Sequence, residues 1–362
     1  MPISAENVIN PAFQHTKQQL MQPLRFGQWM RLALVGLLAG ELGSAGGCNF
    51  GFQLPSTHGQ HGSQRFLSAR LPPQLAHHPA MVVGLIAFLV VFALSLFVLL
   101  TYINSVMRFI LFDSIVAREC HIRQGWVHRG QHGMRLFVWQ ILLTLASLAG
   151  FLILIGIPVA CAWALGWLPH PGVHLLPLVL GGILLFLLFL ALAVVLAVVQ
   201  VMTKDFVVPQ MALEDISAME GWRRLWSWLK GEKVGYLGYI GMKVVLAIGA
   251  GIALSIITVI VLLMLLIPIG GVGIFAVLGA KAAGLTWNLY TITLAVFLGC
   301  IMLAAFMFVV SLISVPIIVF FPAYSIYFLA PRYPPLAALL WPQPPVLAAL
   351  GLPSPESPPL AL

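Results

Sequence analysis

The chain has 362 residues, of which 61% are hydrophobic and 8% charged, and its mean hydropathy is +1.03. A soluble domain carries about 25% charged residues, so this composition excludes an ordinary water-soluble core. The net charge of +8 sits at the ends of apolar runs and is not gathered into a basic domain; that distribution fits lipid head groups and argues against nucleic acid as a partner.

The uncharged apolar runs exceed the ~20 residues that cross a bilayer. Backbone amides in lipid need internal partners, so the runs are expected to be helices. They lack the alternation of a membrane β-barrel. The expected fold is therefore all-α and membrane-integral, with six transmembrane helices, amphipathic interfacial elbow helices and parallel internal repeats.

Residues 1–31 read as a cytoplasmic amphipathic preamble. Asn10-Pro11 has the form of a helix start. Val8, Ile9, Ala12, Phe13, Thr16 and Leu20 follow on one face, which predicts a helix lying on the membrane surface. The membrane domain is expected over 32–329. Its first span, about 32–48, is rich in small residues (Gly36, Gly40, Ser44, Gly47) at spacings that allow close helix contact, and it carries Glu41. A polar loop follows over 49–79. Five further spans are expected at 80–106, 136–163, 173–202, 236–269 and about 285–321. Lys243, near the start of the fifth, is expected to snorkel. The Pro-rich tail, 330–362, cannot form a continuous helix. Tyr333, Leu336 and Trp341 are candidates to lie against the interface, and the end is expected to be disordered.

Lysine and arginine alternate in number between the two sides. The preamble, the two elbows and the tail carry three, five, six and one; the intervening loops carry two, none and one. The positive-inside rule then places both termini and both elbows in the cytoplasm, in a plasma (inner) membrane.

A shift of 96 positions aligns the elbows. Asn104 meets Gln200, Arg108 meets Lys204, Glu119 meets Asp215, and Gly125-Trp126 meets Gly221-Trp222. A shift of 110 aligns the apolar runs ending at Pro158 and Pro268. Two successive units, 80–165 and 172–269, thus form a parallel repeat. A fainter third copy places Pro322 against Pro209. In the second elbow Trp222, Leu225, Trp226 and Leu229 make an apolar face, with Arg223, Arg224 and Lys230 elsewhere. Trp222, Arg223, Arg224 and Trp226 are therefore candidate lipid head-group contacts; a simple topology anchor is the alternative.

The stretches RFGQWMRLALVGLLAG, DFVVPQM with AMEGWRRLW, and VPIIVFFPAYSIYFL together resemble a group of prokaryotic polytopic membrane proteins, themselves similar to the membrane domain found beside some glycerophosphodiester phosphodiesterases. The resemblance covers most of the chain. It implies a six-helix membrane fold and a lipid context, and it carries no catalytic residues to transfer.

Glu41 leads the candidate site residues, because a carboxylate inside a span must be neutral, paired or wet. A coupling role and an interfacial acid are both open for it, with His174, Asn288 and Lys281 as candidate partners. Asn104, Arg108, Gln200, Lys204 and Asp205, with Asp113 nearby, could line a vestibule for an anionic group. Ordinary helix-end snorkelling is the alternative. His58-x-x-His61 lacks further ligands, so no metal and no cofactor are expected. The sequence shows no paired carboxylates, GxSxG or HExxH. The leading reading is a non-enzymatic membrane protein that handles or transports a lipid or other small amphiphile. Alternatives are a structural subunit that assembles with other membrane proteins or with itself, and a head-group enzyme using Asp113, His121 and His128.

Overall fold

The computed structural model describes residues 5–22, 25–41, 79–167, 174–282 and 289–341. The outer-loop histidines, Cys48, Asn288 and the end of the tail lie outside the described residues, as does the side chain of Lys281. The described helices are α1 (Ile9–Met21), α2 (Phe26–Leu38), α3 (Pro79–Val116), α4 (Ile122–Ala164), α5 (Leu175–Met202), α6 (Val208–Glu214), α7 (Ala218–Gly231), α8 (Lys233–Ala282), α9 (Leu289–Leu329) and α10 (Pro334–Leu340). A π-helical turn, Thr203–Val207, joins α5 to α6. No strand occurs among the described residues.

Five described segments are long and apolar enough to cross a membrane: Ile86–Val116, Ile122–Ala164, Leu175–Glu214, Lys233–Met264 and Val296–Arg332. In the first three, none of the most apolar window is buried by protein; in the last two, 11% is. A helix that is hydrophobic all round needs an apolar surrounding. These exposed apolar lengths mark a membrane-embedded protein.

The buried core sits at one end of the long helices. It gathers Val106–Ile115 of α3, the π turn with α6, Val315–Leu329 of α9, α2 and α1. α2 runs antiparallel to the end of α3: Gln28 Nε2 donates to the Arg118 carbonyl (2.7 Å), and Asn104 Nδ2 donates to the Leu38 carbonyl (3.0 Å). A Cβ on Gly36 would lie 2.5 Å from Ile318 of α9, and one on Gly133 of α4 would lie 2.4 Å from Val106 of α3. Both helix contacts therefore require glycine. Phe206, Tyr236, Tyr239, Tyr324 and Phe328 interlock beneath the π turn, with ring centroids 4.6–6.0 Å apart. Arg332 caps this aromatic group from 4.0 Å above Phe328 and holds Glu232 with two bonds of 2.7 and 2.8 Å.

The π turn has a chemical cause. Pro209 has no N–H for the Asp205 carbonyl, and its ring crowds that carbonyl, so the local winding widens. The apolar segment beginning at 32 behaves differently from expectation. α2 stops at Leu38, Gly40 adopts φ +72°, and Glu41 follows at once. The remainder of that expected span, 42–48, is outside the described residues. α1 turns a face of Ala12, His15, Thr16, Gln19 and Leu20 into protein, while Phe13 stays exposed. Tyr333 and Leu336 are likewise buried, and Tyr333 donates to Glu214 at 2.6 Å.

His15 fixes α1 to the bundle. Its Nε2–H donates to the Ile115 carbonyl (3.0 Å), leaving Nδ1 to accept from the Tyr327 hydroxyl (3.3 Å). This pairing needs the neutral ring. Burial, and then the Arg118 charge, hold the His15 pKa below the ordinary imidazole value. The unfolded chain therefore binds a proton at higher pH than the folded chain does. The contribution of His15 is fully present above about pH 6.5 and is lost as pH falls through the depressed folded value. The thermal midpoint in neutral detergent is expected to fall between about pH 7 and about pH 5. His15→Gln, which keeps a donor and cannot titrate, should remove that part of the slope; an unchanged slope would refute the assignment.

Candidate functional site

Five charged side chains meet where α2, α3, the π turn and α8 converge. Glu41, 3% exposed, pairs with Lys204; Asp205, 2% exposed, pairs with Lys243, which is itself buried. Asp205 also accepts from the Tyr239 hydroxyl at 2.9 Å. Arg108 lies within electrostatic reach of both carboxylates. Among the described residues its one hydrogen bond is a long one, Nε to the Ala39 carbonyl at 3.4 Å. The group thus holds three cations against two anions. A cavity of about 30 Å³ lies inside it, lined by Glu41, Arg108, Lys204, Asp205, Pro209 and Pro322 among others, large enough for a water.

Local structure explains the convergence. The αL turn at Gly40 brings Glu41 back over α3. The π turn carries the adjacent Lys204 and Asp205 into the core, toward Glu41 and Lys243 respectively. Tyr239 and Lys243 are one turn apart on α8 and both reach Asp205. Burying an ion costs several kcal/mol, and that cost is recovered only with a close partner and further hydrogen bonds.

Two larger spaces lie on different faces of the end of α5, and the first shares Arg108 with the cluster. A cavity of about 190 Å³ is lined by Phe97, Thr101, Asn104 and Arg108 of α3, Trp139, Gln140, Leu143 and Thr144 of α4, and Gln200 and Thr203. The other is a groove of about 490 Å³, lined by Val198, Val199, Met202, Trp222, Trp226 and Leu229 together with Tyr236, Leu237 and Ile240, with Lys230 and Lys233 as its cations. Trp222 connects the two: it lines the groove and donates its indole N–H to Thr203 Oγ1 at 3.0 Å.

The family model described as "Family of unknown function (DUF7544)" matches residues 3–339. The chain belongs to this family. No curated protein and no solved structure matches it.

The structure thus brings Asn104, Arg108, Gln200, Lys204, Asp205 and Glu41 into one region. Glu41 lies beside the packed end of the helices, away from His174, whose ring sits 6.2 Å from that of Trp167 at the opposite end of α5. Of the four expected head-group contacts, Trp222 and Trp226 line the groove. Arg223 pairs with Glu220, and Arg224 pairs with Glu214 and Glu220; neither lines the groove. Ser217 caps α7 by accepting from the Glu220 amide (3.3 Å), which keeps Glu220 beside both arginines. Lys230, expected away from the apolar face of its helix, sits at the groove beside Trp226, and Lys233, Trp139 and Tyr239 join these sites without a local pattern to mark them. A lysine inside an apolar run asks for a buried partner, and that signal pointed to Lys243.

Asp113 is held by Arg129 through bonds of 2.7 and 2.8 Å. It does not join His121 and His128, which line an open bowl with Arg31 and Arg123. No cluster of three or more metal-ligating side chains occurs among the described residues.

The ion pairs make a two-step prediction. Asp205→Asn keeps an acceptor for Tyr239 but strands Lys243, and it should destabilise the fold by about 3–5 kcal/mol. Adding Lys243→Met restores the charge balance and should recover most of that loss. Thermal unfolding in detergent reads both; equal destabilisation by the single and double variants would contradict the pairing.

Proposed function

We propose that the chain is a six-span membrane domain that binds and handles an anionic phospholipid or a similar amphiphile, without chemistry of its own. The observation that carries this reading is the groove between α5, α7 and α8. Its wall is aliphatic and aromatic, and its cations are Lys230 and Lys233. An acyl chain matches such a wall, and a phosphate matches lysines beside exposed tryptophan. Lys230 also sits 5.8 Å from the Trp226 ring, keeping the cation over the aromatic lip.

Within this reading the turns from α3 to α4 and from α6 to α7 are the elbows of two parallel repeats, 80–165 and 172–269. Several pairs of equivalent positions support the duplication. Both elbows turn the chain through a positive-φ residue, Arg118 (+58°) in the first and Asp215 (+54°) in the second, one position out of the 96-residue register. Gly125 and Gly221, which the 96-residue shift pairs, each pack closely on the segment before the elbow, against Ile110 and Val207 respectively. Asn104 and Gln200 face the same cavity, and Arg108 and Lys204 the same ion cluster. The α2 segment with the residues after it would supply the sixth span. The lysine and arginine asymmetry orients both termini and both elbows toward the cytoplasm of an inner membrane. The resemblance to membrane domains beside glycerophosphodiester phosphodiesterases agrees with a lipid context.

Native mass spectrometry of the purified full chain tests the reading. Anionic phospholipid should be retained above its bulk share, lost in Lys230→Ala/Lys233→Ala, and kept in Arg223→Ala, whose side chain lies off the groove. Random or absent lipid adducts on the native chain would overturn it.

A further inference from the structure

The polar cavity between α3, α4 and α5 raises a separate question. Helices apolar enough to cross a membrane here turn Thr101, Asn104, Gln140, Thr144, Gln200 and Thr203 toward one space, together with Arg108. A water needs about 10–15 Å³ of such space, and the cavity offers about 190 Å³. It is sized for a solute.

The lining has a consistent sign. It contains one cation and no carboxylate. The two nearby carboxylates are each paired with a lysine, which leaves Arg108 as the surplus charge of the cluster. Donors also outnumber committed acceptors. The Trp139 indole N–H is buried with no hydrogen-bond partner. Gln140 Oε1 lies 2.8 Å from the Ser105 hydroxyl, whose single proton it shares with the Thr101 carbonyl, also at 2.8 Å, and the Gln140 NH₂ group lies on the other side of the amide. By contrast, the hydroxyls of Thr101, Thr144 and Thr203 already donate to helix carbonyls of their own chain segment. Their oxygens order the wall and leave arginine, indole and amide as the groups that need an acceptor. A buried donor without a partner costs about 1–3 kcal/mol, and an oxyanion offers several acceptors at once.

We propose that this cavity is a binding site for a phosphate-type oxyanion, with Arg108 as its charged ligand and Trp139, Gln140 and Gln200 as neutral donors. It goes beyond the lipid groove, stands on different residues, and can fail without it. A free phosphate and the phosphate ester of a lipid present the same chemistry to these donors.

The test is the shift of the thermal midpoint of the full chain in neutral detergent, since a ligand of the folded state raises it saturably. Three probes are titrated at constant ionic strength: inorganic phosphate, short-chain phosphatidic acid and short-chain phosphatidylcholine. A saturable rise with inorganic phosphate assigns the site to the free anion. A rise with phosphatidic acid alone that persists in Lys230→Ala/Lys233→Ala and is weakened in Arg108→Gln assigns it to a lipid head group; phosphatidylcholine, whose phosphate carries a cation beside it, should bind more weakly in either case.

Arg108→Gln should weaken the effective probe about tenfold or more, the value of a charge-assisted hydrogen bond. It removes the surplus cation and leaves two matched ion pairs, so the fold is expected to persist. Gln200→Leu should also weaken binding, and it decides the matter if Arg108→Gln does not fold. In the Lys230→Ala/Lys233→Ala background, which removes the groove's own cations, the effective probe should still give a saturable rise that Arg108→Gln weakens. No saturable shift with any probe, or unchanged affinity in the folded variants of Arg108 and Gln200, would overturn the proposal.

Discussion

The buried charge cluster constrains everything around it. Glu41, Lys204, Asp205, Lys243 and Arg108 come from four separate parts of the chain and meet where lipid-facing helices converge. Each ion there is stable only while its partner is in place. That requirement fixes the depth of the α2 end against α3, the rotation of the π turn, and the position of α8 against the π turn. The aromatic group beneath it and the glycine contacts at Gly36 and Gly133 then fill space that the ion pairs have defined. The apolar lengths beyond the cluster have little protein to pack against, and their stability depends on lipid.

This division explains the two unlike cavities. The end of α5 carries Val198, Val199 and Met202 toward the groove, and Gln200 and Thr203 toward the polar space. One helix end thereby separates an aliphatic site from a hydrogen-bonding one, and Trp222 ties them through Thr203. A molecule with an apolar tail and a charged head has both environments within a few residues of each other. The cluster behind Arg108 keeps the polar side positive.

The membrane class was legible because composition and run length are strong signals. Five of the apolar runs appear as long helices for that reason. The Asn104/Gln200 and Arg108/Lys204 spacing also pointed to side chains that do come together, since helical periodicity survives in any packing. What the sequence could not supply was depth. Glu41 looked like an acid partway along a span because the apolar run continues to Gly47; the αL turn at Gly40 ends the helix before it. Lys243 looked like a snorkelling residue because its partner Asp205 is 38 positions away. Arg223 and Arg224 looked available for lipid because their acidic partners, Glu220 and Glu214, lie on a helix start and across a turn. In each case a tertiary partner decided the role, and local pattern carries no record of it.

The most direct test of this account is a cryo-electron microscopy map of the full chain in nanodiscs containing anionic lipid. The account predicts an elongated density along Met202, Trp226 and Leu237, with its head between Lys230 and Lys233. It also predicts Lys204 and Lys243 closed on Glu41 and Asp205 within the packed end. A groove filled by the chain's own residues, or a cluster opened so that these charges face separate solvent, would contradict it.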